Sequence, residues 1–219
     1  SGRRRAARER DGDEGRFVVP VYTTDKLIVL TDQGRCHTVG ADKLPSGRGF
    51  GEPLSLTVEL AAGAKVIALF PARKDGKRLL AADDGRGFIC PEMEMVSNQK
   101  AGKQVLNPGK GAVALVSYDV KPGHDSVAVV GTNKKVLMFP LEELPEMPRG
   151  RGVKLQHYAK GGMADVKTFK RDDGLTWAWG QDKTRTFTEF EEIEGARASA
   201  GKAAPAGFPR NGLFGTESD

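Results

Sequence analysis

Apolar and polar positions follow the same order in four stretches of the chain, which begin at Phe17, Lys65, Ala112 and Asp165. Each stretch opens with an alternating apolar run and a polar turn. A second apolar run, a tight turn, a third apolar run and a basic loop rich in small residues follow. Val, Ile, Leu, Thr and aromatic residues dominate the runs, as is typical of β-strands. The pattern predicts four copies of one all-β unit.

Two sets of positions give the period of the repeat, which is about 50 residues. They are the loop glycines and the tight-turn positions: Gly47, Gly102, Gly150 and Gly201, and Gly34, Gly85, Lys134 and Lys183. After three of the basic loops a further strand-like run appears, at residues 54–60, 103–107 and 153–158. Four strands per unit, repeated around an axis, predict a propeller-like ring.

The tight turns suggest a particular hairpin geometry. Asp84–Gly85 fits a two-residue type I′ turn, in which both central residues need positive φ. Asn133–Lys134 and Asp182–Lys183 place Lys where Gly is easiest, so we expect longer loops there. The repeats divide the chain at about 17–64, 65–111, 112–164 and 165–215. Residues 1–16 form a basic lead-in and residues 216–219 a tail.

Charge and composition narrow the class of protein. The formal net charge is +5, which points to an acidic partner such as nucleic acid, or to a solvated basic surface. No run of about 18 apolar residues occurs, so no membrane span is expected. The opening SGRRRAARERDGDEGR is not a secretory signal and suggests a cut piece of a longer protein or a mobile lead-in. Cys36 and Cys90 lie in apolar runs, which predicts buried free thiols in a reducing compartment.

Catalytic motifs are absent from the sequence. It has no nucleophile elbow, zinc-binding HExxH motif or phosphate loop. The three histidines, His37, His124 and His157, are far apart in sequence. The pairs Asp83–Asp84 and Asp172–Asp173 fall at turns, where Asp bonds to nearby backbone. We therefore expect no catalytic residue, metal site or cofactor in this chain.

The basic loops are the candidate binding residues. They read SGRG (46–49), QKAGK (99–103), PRGRGVK (148–154) and ARASAGK (196–202), and each falls at the same place in its repeat. In a ring of repeats, equivalent loops form a band on the rim. Gly allows close approach to phosphate, and Arg and Lys neutralise it. The residues predicted to bind DNA are Arg48, Lys100, Lys103, Arg149, Arg151, Lys154, Arg197 and Lys202.

Aromatic residues bear on which form of DNA would bind. None is interleaved with the loop charges, whereas a single-strand binder is expected to present stacking platforms. Double-stranded DNA is therefore favoured. Trp177 and Trp179 alternate on one strand, and we assign both to a core between repeats, with a base-stacking platform as the alternative.

Three stretches resemble the C-terminal domain of ParC, the A-type subunit of bacterial DNA topoisomerase IV: KLPSGRGFGEPLSLTVEL (43–60), GRGFICPEMEMVSNQKAGKQVLN (85–107) and VLMFPLEELPEMPRGRGVKLQ (136–156). The ending GFPRNGLFG (207–215) is also similar. The resemblance implies a β-pinwheel, in which neighbouring units exchange a strand. It also implies a role in binding DNA. No copy has the full QRRGGKG box of the related gyrase protein, although residues 99–103 and 149–152 keep part of it. This departure favours the topoisomerase IV type.

The resemblance also implies what lies outside this chain. The active-site tyrosine of the whole ATP-dependent isomerase belongs to a region N-terminal to this domain. ATP and Mg are implied only for the whole enzyme, and the ParE subunit is the implied partner. The implied location is the bacterial cytoplasm, at the nucleoid. The alternatives are a kelch-like protein-interaction propeller, whose repeat is also about 50 residues long, and a propeller hydrolase.

Overall fold

The computed structural model describes residues 21–22, 24–43 and 58–215. The predicted lead-in, the first basic loop with Arg48, and the tail lie outside these residues. The described strands are β1 Lys26–Thr31, β2 Arg35–Gly40, β3 Val66–Pro71, β4 Lys77–Ala82, β5 Arg86–Pro91, β6 Lys103–Gln104, β7 Ala114–Asp119, β8 Ser126–Gly131, β9 Lys135–Pro140, β10 Val153–Lys154, β11 Met163–Phe169, β12 Leu175–Ala178, β13 Thr184–Phe187 and β14 Lys202–Ala203.

The strands form three four-stranded antiparallel sheets and one hairpin. The sheet orders are β3-β1-β2-β6, β10-β5-β4-β7 and β11-β8-β9-β14, and the hairpin is β12-β13. In each four-stranded sheet the two central strands are a hairpin from one repeat. Both outer strands come from the repeat that follows. Each of these sheets is therefore shared between two successive repeats.

Helical structure in the described residues is limited to 3-10 turns at Ala41–Lys43, Glu92–Met95, Leu141–Glu143, Arg171–Asp173 and Phe190–Glu192. Four of them follow the second strand of a hairpin. The prediction of an all-β fold is confirmed. Among these residues no helix is long and apolar enough to cross a membrane.

The first three hairpin turns share one backbone geometry, which differs from the prediction. Each of these three turns has one residue with positive φ at the same place, and these are Gly34, Gly85 and Lys134. The fourth turn has Asp182 at this place and a second residue with positive φ, Gly180. A type I′ turn is excluded at Asp84–Gly85, because only the glycine has positive φ. The longer loops expected at Lys134 and Asp182 are also wrong. Non-glycine residues adopt the left-handed conformation there, at φ 60° and 56°.

The core lies in layers between neighbouring sheets. Between the first two sheets, Ile28, Phe88 and Leu106 are fully buried. Fully burying such a side chain contributes roughly 2 kcal/mol. Cys36 and Cys90 lie in the same layer as free thiols, as predicted, and burial raises the pKa of each to about 12. The thiolate forms are therefore disfavoured at neutral pH.

The layer between the third sheet and the hairpin β12-β13 holds most of the packed aromatic rings. Trp177 packs against Phe187 and Phe208 with ring centroids 5.4 and 5.3 Å apart. Phe169 and Phe190 extend the same layer. The Trp177 indole Nε1 donates to the carbonyl of Gly207 at 3.2 Å. This bond ties the C-terminal segment to the last hairpin.

The outer strands β3, β7 and β11 lie next to one another around a cavity of about 580 Å³. Leu213 and Gly215 also line this cavity. The opposite edges of the sheets carry the two-residue strands β6, β10 and β14. The basic loops lead into these strands, so they lie at the edges of the sheets opposite β3, β7 and β11.

Candidate nucleic-acid interface

A glycine with positive φ precedes each of the short outer strands. These glycines are Gly102, Gly152 and Gly201, with φ of 69°, 81° and 81°. A Cβ on any of them would collide with a backbone carbonyl of the preceding sheet, that of Cys36, Gly87 and Val136 respectively. The equivalent glycine in the third repeat is therefore Gly152, and not Gly150 as the spacing suggested. These glycines are required by the close crossing onto the neighbouring sheet.

The loop of residues 99–103 is held from beneath by two side chains of β2. The Arg35 guanidinium donates to the carbonyls of Ala101 and, at 3.2 Å, Gly102. The His37 ring contacts the carbonyl of Lys100 through Nδ1 at 3.2 Å. These bonds fix the loop backbone. The Lys100 side chain remains exposed, and Lys103 is half-buried.

Burial governs the protonation of His37. The residue is 1% exposed, and its Nε2 has no hydrogen-bond partner among the described residues. Burial lowers the pKa of the imidazole, although the bond to the Lys100 carbonyl opposes the shift. The charge of Arg35 lowers the pKa further. The neutral ring is therefore favoured beneath this loop.

Among the basic loops that the structure describes, that of residues 148–154 presents the largest group of exposed cations, at Arg149, Arg151 and Lys154. Arg151 donates to the Asp84 carboxylate at 3.1 Å, which links the loop to the second hairpin turn. Lys154 lies directly opposite Arg86 on the neighbouring antiparallel strand. Two like charges opposite each other repel, so a bound anion would relieve this repulsion.

The loop of residues 196–202 uses its cations differently. Arg197 is half-buried and donates to the carbonyl of Lys154 at 2.8 Å. The Lys202 ammonium donates to the carbonyl of Glu191 at 3.0 Å. The Gln156 side chain also donates to the carbonyl of Ala200 at 3.0 Å. Both cations of this loop are thus bonded to the protein's own backbone.

The structure therefore sorts the residues predicted from the sequence into three groups. Arg48 lies outside the described residues. Arg151, Arg197 and Lys202 bond to other protein groups. The remaining side chains make no hydrogen bond or ion pair to another described residue, and they are those of Lys100, Lys103, Arg149 and Lys154.

Sequence reasoning missed a second row of cations beside the loops. Arg35, Arg86 and Lys135 each begin the second strand of a hairpin, next to β6, β10 and β14. The signal was available in the sequence, since a basic residue stands at this position in three successive repeats. Together with the loop cations, this row forms what we call the basic band: Arg35, Arg86, Lys100, Lys103, Lys135, Arg149, Arg151, Lys154, Arg197 and Lys202.

Trp179 was assigned to a buried core, and that assignment is wrong. Trp177 is 2% exposed, as expected, but Trp179 is 46% exposed. The strand β12 ends at Ala178, so the alternation that would turn both rings to one side does not extend to Trp179.

The acidic pairs serve the turns. Asp83 accepts a hydrogen bond from the Val113 amide at 3.0 Å, and Asp84 accepts one from the Arg86 amide at 3.2 Å. Asp172 and Asp173 lie in a 3-10 turn. Within the described part of the chain, no three His, Cys, Asp or Glu side chains are grouped so that they could hold a metal ion.

Sheets that take both outer strands from the following repeat define a β-pinwheel, and the comparison with solved structures confirms this class. The C-terminal domain of Escherichia coli ParC superposes with a TM-score of 0.81 at 24% identity, over 91% of this chain and 84% of that chain. A DNA gyrase A C-terminal domain superposes with a TM-score of 0.64 at 16% identity, over 90% of this chain and 66% of that chain.

Curated relatives identify the family. The A-type subunit of DNA topoisomerase 4 from Caulobacter vibrioides is 47% identical over 94% of this chain, and that from Rickettsia bellii is 35% identical over the same share. The chain spans 27% of the length of either relative. No protein-family model matches it. The chain belongs to the topoisomerase IV ParC family and corresponds to the C-terminal domain.

Proposed function

We propose that this domain is a non-catalytic module that holds double-stranded DNA on the basic band. The observation that carries the proposal is the repeated crossing at Gly102, Gly152 and Gly201, which places three basic loops at equivalent positions beside a second row of cations. Cations arranged along one edge suit a phosphate backbone, which they contact without reading the base sequence.

Within a whole topoisomerase, such a module would hold the DNA segment to be transported. It would thereby guide strand passage, decatenation and supercoil relaxation. The ParE subunit would associate through the rest of the ParC chain, and ATP and Mg would act there. The proposed location is the bacterial cytoplasm, at the nucleoid. In this proposal residues 17–215 form one DNA-binding pinwheel after a basic lead-in of residues 1–16.

The kelch-like interaction propeller is not favoured. The curated relatives are topoisomerase subunits, and the solved structures that share the fold are C-terminal domains of such proteins. The propeller hydrolase has no support from either comparison.

The test is binding to a linear duplex at several salt concentrations. Replacing Arg149, Arg151 and Lys154 together by Ala should weaken binding about tenfold or more near 0.1 M salt and reduce the salt slope by about two to three. The effect should be the same for unrelated sequences. A matched control removes the same charge from the opposite ends of the sheets, by Lys43→Ala, Lys74→Ala and Lys170→Ala, whose side chains are all exposed.

The two triple variants separate location from net charge. If both weaken binding equally, the basic band is not the binding surface. If the unaltered chain does not bind duplex even at low salt, the proposed function itself is wrong.

A further inference from the structure

The fourth hairpin carries an exposed pair of side chains that the other hairpins lack. The Arg185 guanidinium lies over the Trp179 ring, 5.3 Å from its centroid. Gly207 packs against both, and a Cβ there would lie 2.8 Å from the indole. The Trp179 amide donates to the carbonyl of Lys183 at 2.7 Å, which closes the turn. The backbone therefore holds the indole at the tip of the hairpin.

The place of this pair in the fold connects it to the basic band. At the first three hairpins the turn carbonyls of Gly34, Gly85 and Lys134 accept hydrogen bonds from the segments that follow the basic loops. Lys134 also donates to the carbonyl of Arg210 at 3.0 Å. The segment 204–212 thus contacts the third turn at Ala204 and Arg210, and it contacts the Trp179 ring at Gly207. The indole lies at the same end of the sheets as the other turns.

The fourth turn, the third turn and the segment 204–212 that contacts both carry mostly positive charges. Lys134, Lys183, Arg185 and Arg210 are exposed, and Asp182 is the acidic residue of the turn. No strand covers β13 among the described residues, so Thr184, Arg185 and Thr186 are exposed as well. An aromatic face with an arginine stacked on it and cations nearby is the arrangement with which proteins bind unpaired bases.

We propose that Trp179 and Arg185 form a stacking site for an unpaired nucleobase, so that the domain binds single-stranded or locally melted DNA at its fourth hairpin. The inference rests on the proposed function, because it extends the DNA path from the basic band to this turn. Stacking is tolerant of base identity, since every base has a π-face, and the cations would contact the flanking phosphates.

The first test is the affinity for a labelled oligothymidylate and for a linear duplex at the same salt concentration. Trp179→Ala should weaken single-strand binding about fivefold or more, the lower limit for the loss of one stacked base. Duplex affinity should change less than about twofold, since the phosphate contacts remain. Trp179→Phe should retain most of the single-strand affinity, because it keeps an aromatic face.

Two controls isolate the pair. Tyr22→Ala removes an exposed aromatic ring at the other end of the described chain and should change neither affinity. Arg185→Ala should weaken single-strand binding more than Lys170→Ala, which removes the same charge from the far end of β12.

Tryptophan fluorescence gives a second readout. The sequence contains two tryptophans, so the difference between the unaltered chain and Trp179→Phe reports on Trp179 alone. We expect this emission to be quenched by oligothymidylate. Absence of quenching, or equal single-strand affinity for Trp179→Ala and the unaltered chain, would overturn the inference. Intact duplex binding in that case leaves the proposed function standing, whereas loss of both kinds of binding in the unaltered chain would remove both.

Discussion

The basic loop of residues 148–154 and that of residues 196–202 reach the preceding sheet in the same way, through Gly152 and Gly201. Their cations then have different surroundings. The side chains of Arg149 and Lys154 make no hydrogen bond or ion pair to another described residue, whereas Arg197 and Lys202 donate to backbone carbonyls. Arg197 even bonds to the carbonyl of Lys154, so the later loop braces the earlier one.

The comparison shows that equal charge at equal places in a repeat need not mean equal function. A cation bonded to a carbonyl has one donor fewer to offer a phosphate, and the bond restricts where its side chain can reach. We therefore expect the loop of residues 148–154 to be the better DNA contact, and that of residues 196–202 the better structural link. Three features can be tested in turn: the crossing that the loops share, the different use of their cations, and the side chain beneath each loop.

The largest effect is expected at Gly152, where the loop of residues 148–154 crosses onto the preceding sheet. Gly152→Ala should lower the free energy of unfolding by about 2 kcal/mol or more, since it combines left-handed strain with a collision against the Gly87 carbonyl. Gly123→Ala is the matched control, because its φ is 88° but no atom lies within 4 Å of the added carbon. It should cost about 1 kcal/mol. Urea unfolding measures both, and equal losses would show that the collision is relieved at no cost.

A smaller effect should distinguish the two loops. Arg149→Ala with Lys154→Ala should weaken duplex binding about tenfold near 0.1 M salt. Arg197→Ala with Lys202→Ala removes the same charge and should weaken it less than about threefold. The order should reverse for stability, with about 1 kcal/mol lost in the second pair only. Filter binding and urea unfolding of both double variants measure the two losses. If one double variant shows the larger loss of both affinity and stability, the division is wrong.

The smallest effect concerns the side chain beneath each loop. His37 lies under the loop of residues 99–103, whereas Phe88 and Leu137 take its place in the next two sheets. Burial lowers the pKa of His37 below its usual value near 6.5. Just below pH 6.5 the unfolded chain therefore binds more protons than the folded chain does. The contribution of His37 to stability falls as pH falls through 6.5.

This pH effect is best measured as a difference. The unaltered chain should lose more stability between about pH 7.5 and pH 5.5 than His37→Phe, because an unfolded histidine gains its proton in this range while burial disfavours the proton on His37 in the folded chain. The variant carries the residue of the second sheet, so it loses the Lys100 contact at both pH values and only the pH dependence is compared. Parallel stability curves for the two proteins would show that His37 does not bind its proton differently in the folded state.

Much of the architecture could be predicted from the sequence, because it follows from local pattern. Alternating runs gave the strands, and the period gave the repeat. The non-glycine residue at Lys134 concealed the turn that the first three hairpins share, since its left-handed backbone is imposed by strand pairing on both sides. The candidate residues of the basic loops were predicted from their charge and from their common position in the repeat. The sequence could not show which of these cations are bonded within the protein. That depends on backbone carbonyls such as those of Lys154 and Glu191, whose positions are set by contacts between repeats.

Exchange of the outer strands also constrains the order in which the chain can fold during synthesis. The hairpin that begins at Lys26 cannot complete its sheet until Gln104 has emerged from the ribosome. The sheet that begins at Lys77 must likewise wait for Lys154. Each hairpin thus waits with open edges for the next repeat, and such edges readily pair with the wrong partner. Once a basic loop and the short strand after it have been translated, the edge of the preceding sheet can therefore be covered and is no longer open to wrong pairing.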